Sequence, residues 1–190
     1  MPPMLEVKLD PAQLEKLGNL IGAAGKNAPA ALARAINHTG DKAKTAMTQA
    51  LTVQTGLKRK VIVKALKVSK ASASTMTYTI RSAGGDIGLK YFGARETRSG
   101  VSAAPWGRRQ IYAGTFMKGG RFPNRVAISK LNGQVMKRTG SGRAPIAKQR
   151  SGLFIPVEMV SGATAAAFDT VATRDLPDRL VHELMRIIGP

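Results

Sequence analysis

Few residues in this chain have the types and spacing that catalysis requires. An enzyme needs titratable groups that converge, yet Asp86 and Glu96 are the only acidic residues between positions 57 and 150. Asp86 suits a turn, where Asp accepts local hydrogen bonds. His38 and His182 are the only histidines, and there is no cysteine, so a metal site is not expected. We therefore predict a non-enzyme with no catalytic residues, no cofactor and no metal.

The chemistry that the sequence does offer is the binding of anions by basic side chains. The 190 residues carry 30 Lys and Arg against 11 Asp and Glu, a net charge of +19. Residues 57–150 hold 21 of the basic residues, whereas residues 1–56 have a net charge of +2 and residues 151–190 one of −2. A segment this cationic is expected to face phosphate groups or an acidic protein surface.

Seven basic residues of this segment are candidates for contact with DNA or with an acidic partner: Arg108, Arg109, Arg121, Arg125, Lys137, Arg138 and Arg143. Basic residues interleave with strand-forming residues at period two, so one face of a sheet could be cationic. The sequence shows no groove-reading helix, and any DNA contact is therefore expected to be non-specific. A solvated basic face that keeps the protein soluble is the simpler alternative.

Three aromatic residues are candidates for a subunit interface: Trp106, Tyr91 and Phe92. Trp106 follows a proline and precedes Arg108 and Arg109 in a loop, and Trp and Arg are enriched at interface hot spots. Trp106 could equally anchor its own loop to the sheet.

The elements that must position these residues indicate helices at both ends of the chain. Asp10 as N-cap and Pro11 at the first position predict a helix start. Helical periodicity predicts helices at 11–22, from 28 to about 53, at 57–66 and from 163 onward. Gly40 is a soft spot in the long helix, costing about 1 kcal/mol relative to Ala.

Within the last helix, Pro177 is expected to kink or restart the chain, with Asp175 as cap of the second part. Arg179 and Glu183 are four residues apart and are expected to pair on its exposed face.

The centre of the chain favours strands and loops. Extended segments are predicted at 4–10, 76–81, 87–92, 108–116, 125–130, 133–138 and 153–157. We expect 76–81 to form a hairpin with 87–92, and 125–130 to form one with 133–138. Residues 93–106 and 139–143 are predicted loops.

This order predicts a single α+β domain over 1–190: a helical N-terminal part (1–66), a basic β-rich part (67–158) and a C-terminal helix (159–190). The N-terminal helices and the C-terminal helix are expected to pack on one face of a mainly antiparallel sheet with long loops. No apolar run approaches the ~18 residues of a membrane helix, and no signal peptide is apparent. A cytoplasmic product, or one assembled there, is expected.

Several short motifs follow one another in the centre of the chain: Gly93-Ala94-Arg95, Gly100-Val101-Ser102, Pro105-Trp106-Gly107-Arg108-Arg109, Lys137-Arg138-Thr139-Gly140 and Ala144-Pro145-Ile146. In this order they resemble the minor tail protein Z family of tailed bacteriophages and prophages. The alanine-rich segment 30–53, followed by Gln54-Thr55-Gly56-Leu57, also resembles that family. The similarity runs from about residue 28 to 156.

The resemblance implies a structural virion protein that completes the head-proximal end of the tail or the neck. Such a subunit would assemble in the host cytoplasm into a ring, commonly of six copies, around the DNA path. Its partners would be tail-terminator or tail-tube proteins, head-connector proteins and, non-specifically, genomic DNA. The alternative is a free-standing, non-specific nucleic-acid-binding protein, which would bind duplex DNA with a steep salt dependence.

Overall fold

The computed structural model describes residues 3–189 and has helices at both ends of the chain with short strands between them. The helices are α1 (Pro11–Lys16), α2 (Gly18–Ala24), α3 (Ala28–Thr55), α4 (Arg59–Ala65), α5 (Ile155–Met159) and α6 (Gly162–Ile188). The strands are β1 (Met4–Lys8), β2 (Leu66–Ser69), β3 (Thr77–Ser82), β4 (Arg95–Glu96), β5 (Gly100–Ala103), β6 (Gln110–Ala113), β7 (Thr115–Phe116), β8 (Lys118–Gly119), β9 (Val126–Ala127), β10 (Met136–Arg138) and β11 (Ile146–Lys148). This content confirms the α+β class.

The two long helices, α3 and α6, lie antiparallel against each other. Their partners run in opposite order: Arg34 Nε pairs with Glu183 Oε2 at 2.9 Å, whereas Gln54 Oε1, near the far end of α3, accepts from Thr164 Oγ1 at 2.9 Å. Small residues on α3 allow this close approach, since Ala31, Ala35 and Ala43 are fully buried. The predicted long helix is confirmed and extends to Thr55.

Strands β1, β3 and β2 form an antiparallel sheet with β3 in the middle. Tyr78 and Ile80 of β3 are fully buried, and Val7 of β1, opposite Tyr78 in the register, lies on the same face. Arg81, on the other face of β3, is exposed. This sheet therefore has helices on one face, as predicted. The other strands form three separate small sheets with the orders β4-β5-β6, β11-β10-β7 and β8-β9.

Gly40 of α3 provides the space in which the ring of Tyr78 packs. A Cβ at Gly40 would lie 2.4 Å from Tyr78 Cγ and 2.6 Å from its Cδ1. The Tyr78 hydroxyl donates to Asp41 Oδ1 at 2.8 Å, and Lys70 Nζ donates to Asp41 Oδ2 at 3.0 Å. Burial, together with the Asp41 carboxylate, raises the pKa of Tyr78. Helix propensity alone makes Gly40 a weak point of α3. The packing of the Tyr78 ring nevertheless requires a glycine there.

The predicted strand at 87–92 is wrong. Leu89–Phe92 is a turn of 3-10 helix, in which Leu89 and Phe92 are both buried. A strand would place residues three apart on opposite faces, whereas a helical turn places them on the same side. Both edges of β3 are also occupied, by β1 and β2, so the predicted hairpin with 87–92 has no edge to form on.

The second predicted hairpin is also wrong, although its turn is present. Asn132 and Gly133 have φ values of +46° and +66°, but β9 pairs with β8, and β10 lies between β11 and β7. Of the predicted extended piece at 153–157, Phe154 is extended, whereas residues 155–157 belong to helix α5, with Pro156 in its first turn. The predicted loop 93–106 contains β4 and β5.

Helix α6 runs unbroken through Pro177, so the predicted restart is wrong. The carbonyl of Thr173, which loses its backbone donor, belongs to an exposed residue that water can reach. Asp175 does not cap a second helix. Its carboxylate pairs with Lys42 of α3 and with Arg174, and hydrogen bonds from Arg174 and Lys42 lower the pKa of Asp175 to about 2.

The Arg179–Glu183 pair is present, but it is not on an exposed face. Glu183 is only 1 % exposed and lies between α6 and α3, where Arg34 Nε at 2.9 Å and Arg179 Nη2 at 2.6 Å both donate to it. Burial by itself would raise the pKa of Glu183. The hydrogen bond from Arg34 and the nearby arginine charges outweigh burial, and the net shift of the pKa is downward.

We predict that Gly40→Ala destabilises the protein by about 1–3 kcal/mol, because the added methyl group overpacks a buried ring. Helix propensity alone predicts the opposite sign. The matched control is Gly22→Ala in α2, where a Cβ meets nothing within 4 Å; it should be neutral or stabilise by up to about 1 kcal/mol. Urea unfolding measures both variants. Equal stabilisation by the two substitutions would contradict the packing described above.

Glu183→Gln should lower the free energy of unfolding at neutral pH by about 1–3 kcal/mol, because it removes the buried carboxylate to which Arg34 and Arg179 donate. Since folding lowers the pKa of Glu183, its contribution is complete above the unfolded value of 4.5 and is lost as pH falls through the lower folded pKa. Wild type and variant should therefore converge in acid. The control is Asp178→Asn, at an exposed acidic residue of the same helix, which should change the free energy of unfolding at neutral pH by no more than about 0.5 kcal/mol.

Candidate functional site: a cation-lined concavity

The β-rich part of the chain encloses a concavity of about 330 Å³. Its walls come from the turn between β4 and β5, from β7 and β8, and from the hairpin of β10 and β11. Five basic residues line it: Arg98, Lys118, Arg125, Arg138 and Arg143. Among residues 3–189, no acidic side chain lines this concavity. Such an arrangement can bind an anionic group by charge and by hydrogen bonds.

Glu96 lies behind this wall and ties its parts together. Its carboxylate accepts from the backbone N–H of Met117 and of Lys118, the latter at 2.8 Å, and pairs with the guanidinium of Arg125. The side chain of Arg125 is only 18 % exposed. Much of the charge of Arg125 is therefore compensated within the protein, and this residue acts mainly as part of the wall.

Arg138 shapes the opposite wall. Its guanidinium lies 5.3 Å from the centroid of the Phe116 ring and donates to the carbonyl of Arg143 at 2.6 Å. These contacts hold the turn between β10 and β11, which contains the predicted loop 139–143. The Arg138 side chain thus joins the two ends of this loop. The side chains of Arg98, Lys118 and Arg143 make no hydrogen bond to another described residue and remain available to a ligand.

Three of the seven predicted cations, Arg125, Arg138 and Arg143, thus meet in one place. The other four do not line the concavity. Arg121 is exposed between β8 and β9, and Lys137 lies on the other face of β10 from Arg138. Arg108 is exposed beside the Trp106 turn, and Arg109 donates to Ser102 Oγ at 3.1 Å.

Sequence reasoning missed Arg98 and Lys118, which also line the concavity. Arg98 precedes Ser99-Gly100 and Lys118 precedes Gly119-Gly120. A basic residue one or two positions before a glycine is the local signal that could have found both. Nothing in the sequence indicates that these two turns lie on the same concavity, because that depends on pairings between distant strands.

The three predicted interface aromatics have different environments. Tyr91 and Trp106 are 41 % and 40 % exposed, whereas Phe92 is 2 % exposed and belongs to the core. The prediction of Phe92 as an interface residue is therefore corrected. Trp106 anchors its own loop, since its Nε1–H donates to Glu158 Oε1 at 2.9 Å, and its role at a subunit interface stays a prediction.

The Trp106 turn is fixed by a polar network at the end of α3. Gln54 Nε2 donates to Glu158 Oε2 at 2.7 Å, and Gln54 Oε1 accepts from the backbone N–H of Thr164 at 3.1 Å. Next to Gln54, Gly56 has φ +73°, and a Cβ there would lie 2.8 Å from the backbone nitrogen of Gly107. Helix α3 thus ends against the loop that carries Trp106.

Asp86 and His38, considered above for catalysis or for a metal site, lie in surroundings that the fold explains. Asp86 does not serve a local turn: its Oδ1 accepts from the backbone N–H of Gly152 at 2.9 Å and holds together two distant loops. Burial and the charges of Arg179 and Lys42 lower the pKa of His38. Within residues 3–189, no three His, Asp or Glu side chains form a cluster suited to a metal ion, and none of the helices is long and apolar enough to cross a membrane.

Fold and concavity together define a small, basic α+β protein with a surface suited to an anionic partner. The family model described as prophage minor tail protein Z (GPZ) matches residues 17–188. The chain belongs to this family, which is one of structural proteins of the phage tail. Searches of the curated proteins and of the solved structures gave no match.

We predict that Trp106→Ala leaves a folded protein and lowers the free energy of unfolding by about 1 kcal/mol, because one hydrogen bond and a half-open ring contact are lost. Trp106→Phe, which keeps a ring but not the N–H group, should cost less. Circular dichroism during urea unfolding measures both variants. A molten or insoluble Trp106→Ala protein would contradict this prediction and favour a core role for Trp106.

Proposed function

We propose that this chain is a tail-completion subunit at the head-proximal end of a phage tail. In this proposal, a ring of six copies joins the tail to the head connector around the DNA path. The observation that carries the proposal is the match to the minor tail protein Z family over nearly the whole chain. Assembly in the host cytoplasm, with tail-terminator, tail-tube and head-connector proteins as partners, belongs to the same proposal.

The distribution of charge and exposed apolar groups supports this role. Within the β-rich part, Trp106, Tyr91 and Ile111 are 40 %, 41 % and 56 % exposed, and the same part has 17 basic against three acidic residues, a net charge of +14 out of the total of +19. Exposed aromatic and aliphatic side chains next to arginines are typical of protein interfaces. The helical layer would then be the scaffold and the β-rich part the contact surface.

Contact with DNA in this ring would be non-specific. Exposed basic residues such as Arg108, Arg121 and Lys137 suit the phosphate backbone, which any sequence presents. The same exposed cations would serve the alternative, a free-standing nucleic-acid-binding protein, so position in the virion is what separates the two functions.

The test is electron microscopy of purified virions that carry a tag on this chain, labelled with gold. We expect label at the head–tail junction, in a fixed number of copies per particle. Untagged virions, treated identically, are the control for stray gold. Absence of label from the virions, combined with tight and salt-dependent binding of duplex DNA by the free protein, would contradict the proposal and favour the alternative function. Label spread along the tail would contradict its head-proximal position.

A further inference from the structure

We propose that the concavity binds an acidic segment of another protein, in which Asp or Glu residues alternate with apolar ones. This inference rests on the proposed function, because it specifies what the contact surface of the subunit recognises. The concavity is assigned to a protein partner. Non-specific contact with DNA is assigned to basic residues elsewhere on the surface.

The size of the site is the first argument. A volume of about 330 Å³ is at the lower end of the range of roughly 300–1,000 Å³ found for ligand pockets, and it accommodates a few side chains. Duplex DNA presents its phosphates in rows on a convex surface, and proteins meet them with a basic stripe or face. Arg98, Lys118, Arg138 and Arg143 instead surround a depression, which suits a projecting group.

The apolar lining is the second argument. Phe116, Ile128, Leu131 and Ile146 line the same concavity as the cations, and Ile128 and Ile146 are 41 % and 40 % exposed. The phosphate groups of DNA have no apolar surface to bury against them. A peptide in which Leu, Ile or Phe flanks an acidic residue does present apolar groups, and the burial of each one adds to affinity.

The third argument concerns the aromatic residue of the site, which argues against single-stranded nucleic acid as the ligand. Proteins bind single strands by stacking bases on aromatic rings. In the concavity the aromatic residue is Phe116, and the Arg138 guanidinium already lies over that ring. Arg138 is itself held by the Arg143 carbonyl. This arrangement holds the guanidinium against the ring and leaves that face of the ring covered, so a base cannot stack there.

The test measures binding by the full-length protein of three probes: a peptide that alternates Asp and Leu, a peptide of equal length that alternates Asp and Gly, and a short DNA duplex. The first variant combines Arg98→Gln, Lys118→Gln and Arg143→Gln. Its control combines Lys8→Gln, Lys16→Gln and Lys26→Gln, which remove the same charge from exposed positions of the N-terminal part. The second variant is Ile146→Ser, which leaves the charge unchanged.

We expect the concavity variant to lose affinity for the Asp-Leu peptide by about tenfold or more relative to the control variant. Ile146→Ser should weaken binding of the Asp-Leu peptide by about threefold and leave binding of the Asp-Gly peptide and the duplex unchanged. Thermal unfolding of each variant confirms that it is folded.

Two results would overturn the inference. Equal affinity of the concavity and control variants for the Asp-Leu peptide would exclude the concavity as its site. A larger loss of duplex affinity than of peptide affinity, with no effect of Ile146→Ser, would make the concavity a nucleic-acid site. Either result obtained together with gold label at the head–tail junction would leave the proposed function standing.

Discussion

The contact between Gly40 and the ring of Tyr78 determines how the sheet of β1, β3 and β2 sits on helix α3. It lets β3 approach the helix closely, and Asp41 then fixes the tyrosine hydroxyl. Arg34 of α3 binds Glu183 of α6, and the last turn of α3 ends against the loop that carries Trp106. One helix thus sets the positions of the sheet, of the C-terminal helix and of the start of the basic region.

In the basic part, folding depends on the two acidic residues of segment 57–150. Glu96 gathers two backbone N–H groups and Arg125, and Asp86 holds the chain at Ser151 and Gly152. Because both carboxylates are used inside the protein, they compensate little of the surface charge. The remaining cations repel one another, and an anionic partner would relieve that repulsion. This explains in physical terms why a tail protein of this family could gain stability on assembly.

The ends of the fold were predictable from the sequence because helical periodicity and caps are local signals. Asp10 and Pro11 begin α1 as expected, and α3 and α6 lie where their apolar stripes predict. The strand pairings were not predictable, since strands of two to four residues give little pattern and pair with distant partners. For the same reason the sequence suggested Arg125, Arg138 and Arg143 as cations of one surface but did not place Arg98 and Lys118 beside them.

The most direct test of the central claim, that the concavity faces an acidic protein, is zero-length carbodiimide cross-linking of purified virions followed by mass spectrometry. The reagent joins a lysine amine only to a carboxylate in contact with it. We expect Lys118, which lines the concavity, to be linked to Asp or Glu of another tail protein. Links confined to exposed lysines of the helical layer, such as Lys16 and Lys26, with Lys118 unmodified in intact virions, would contradict the claim.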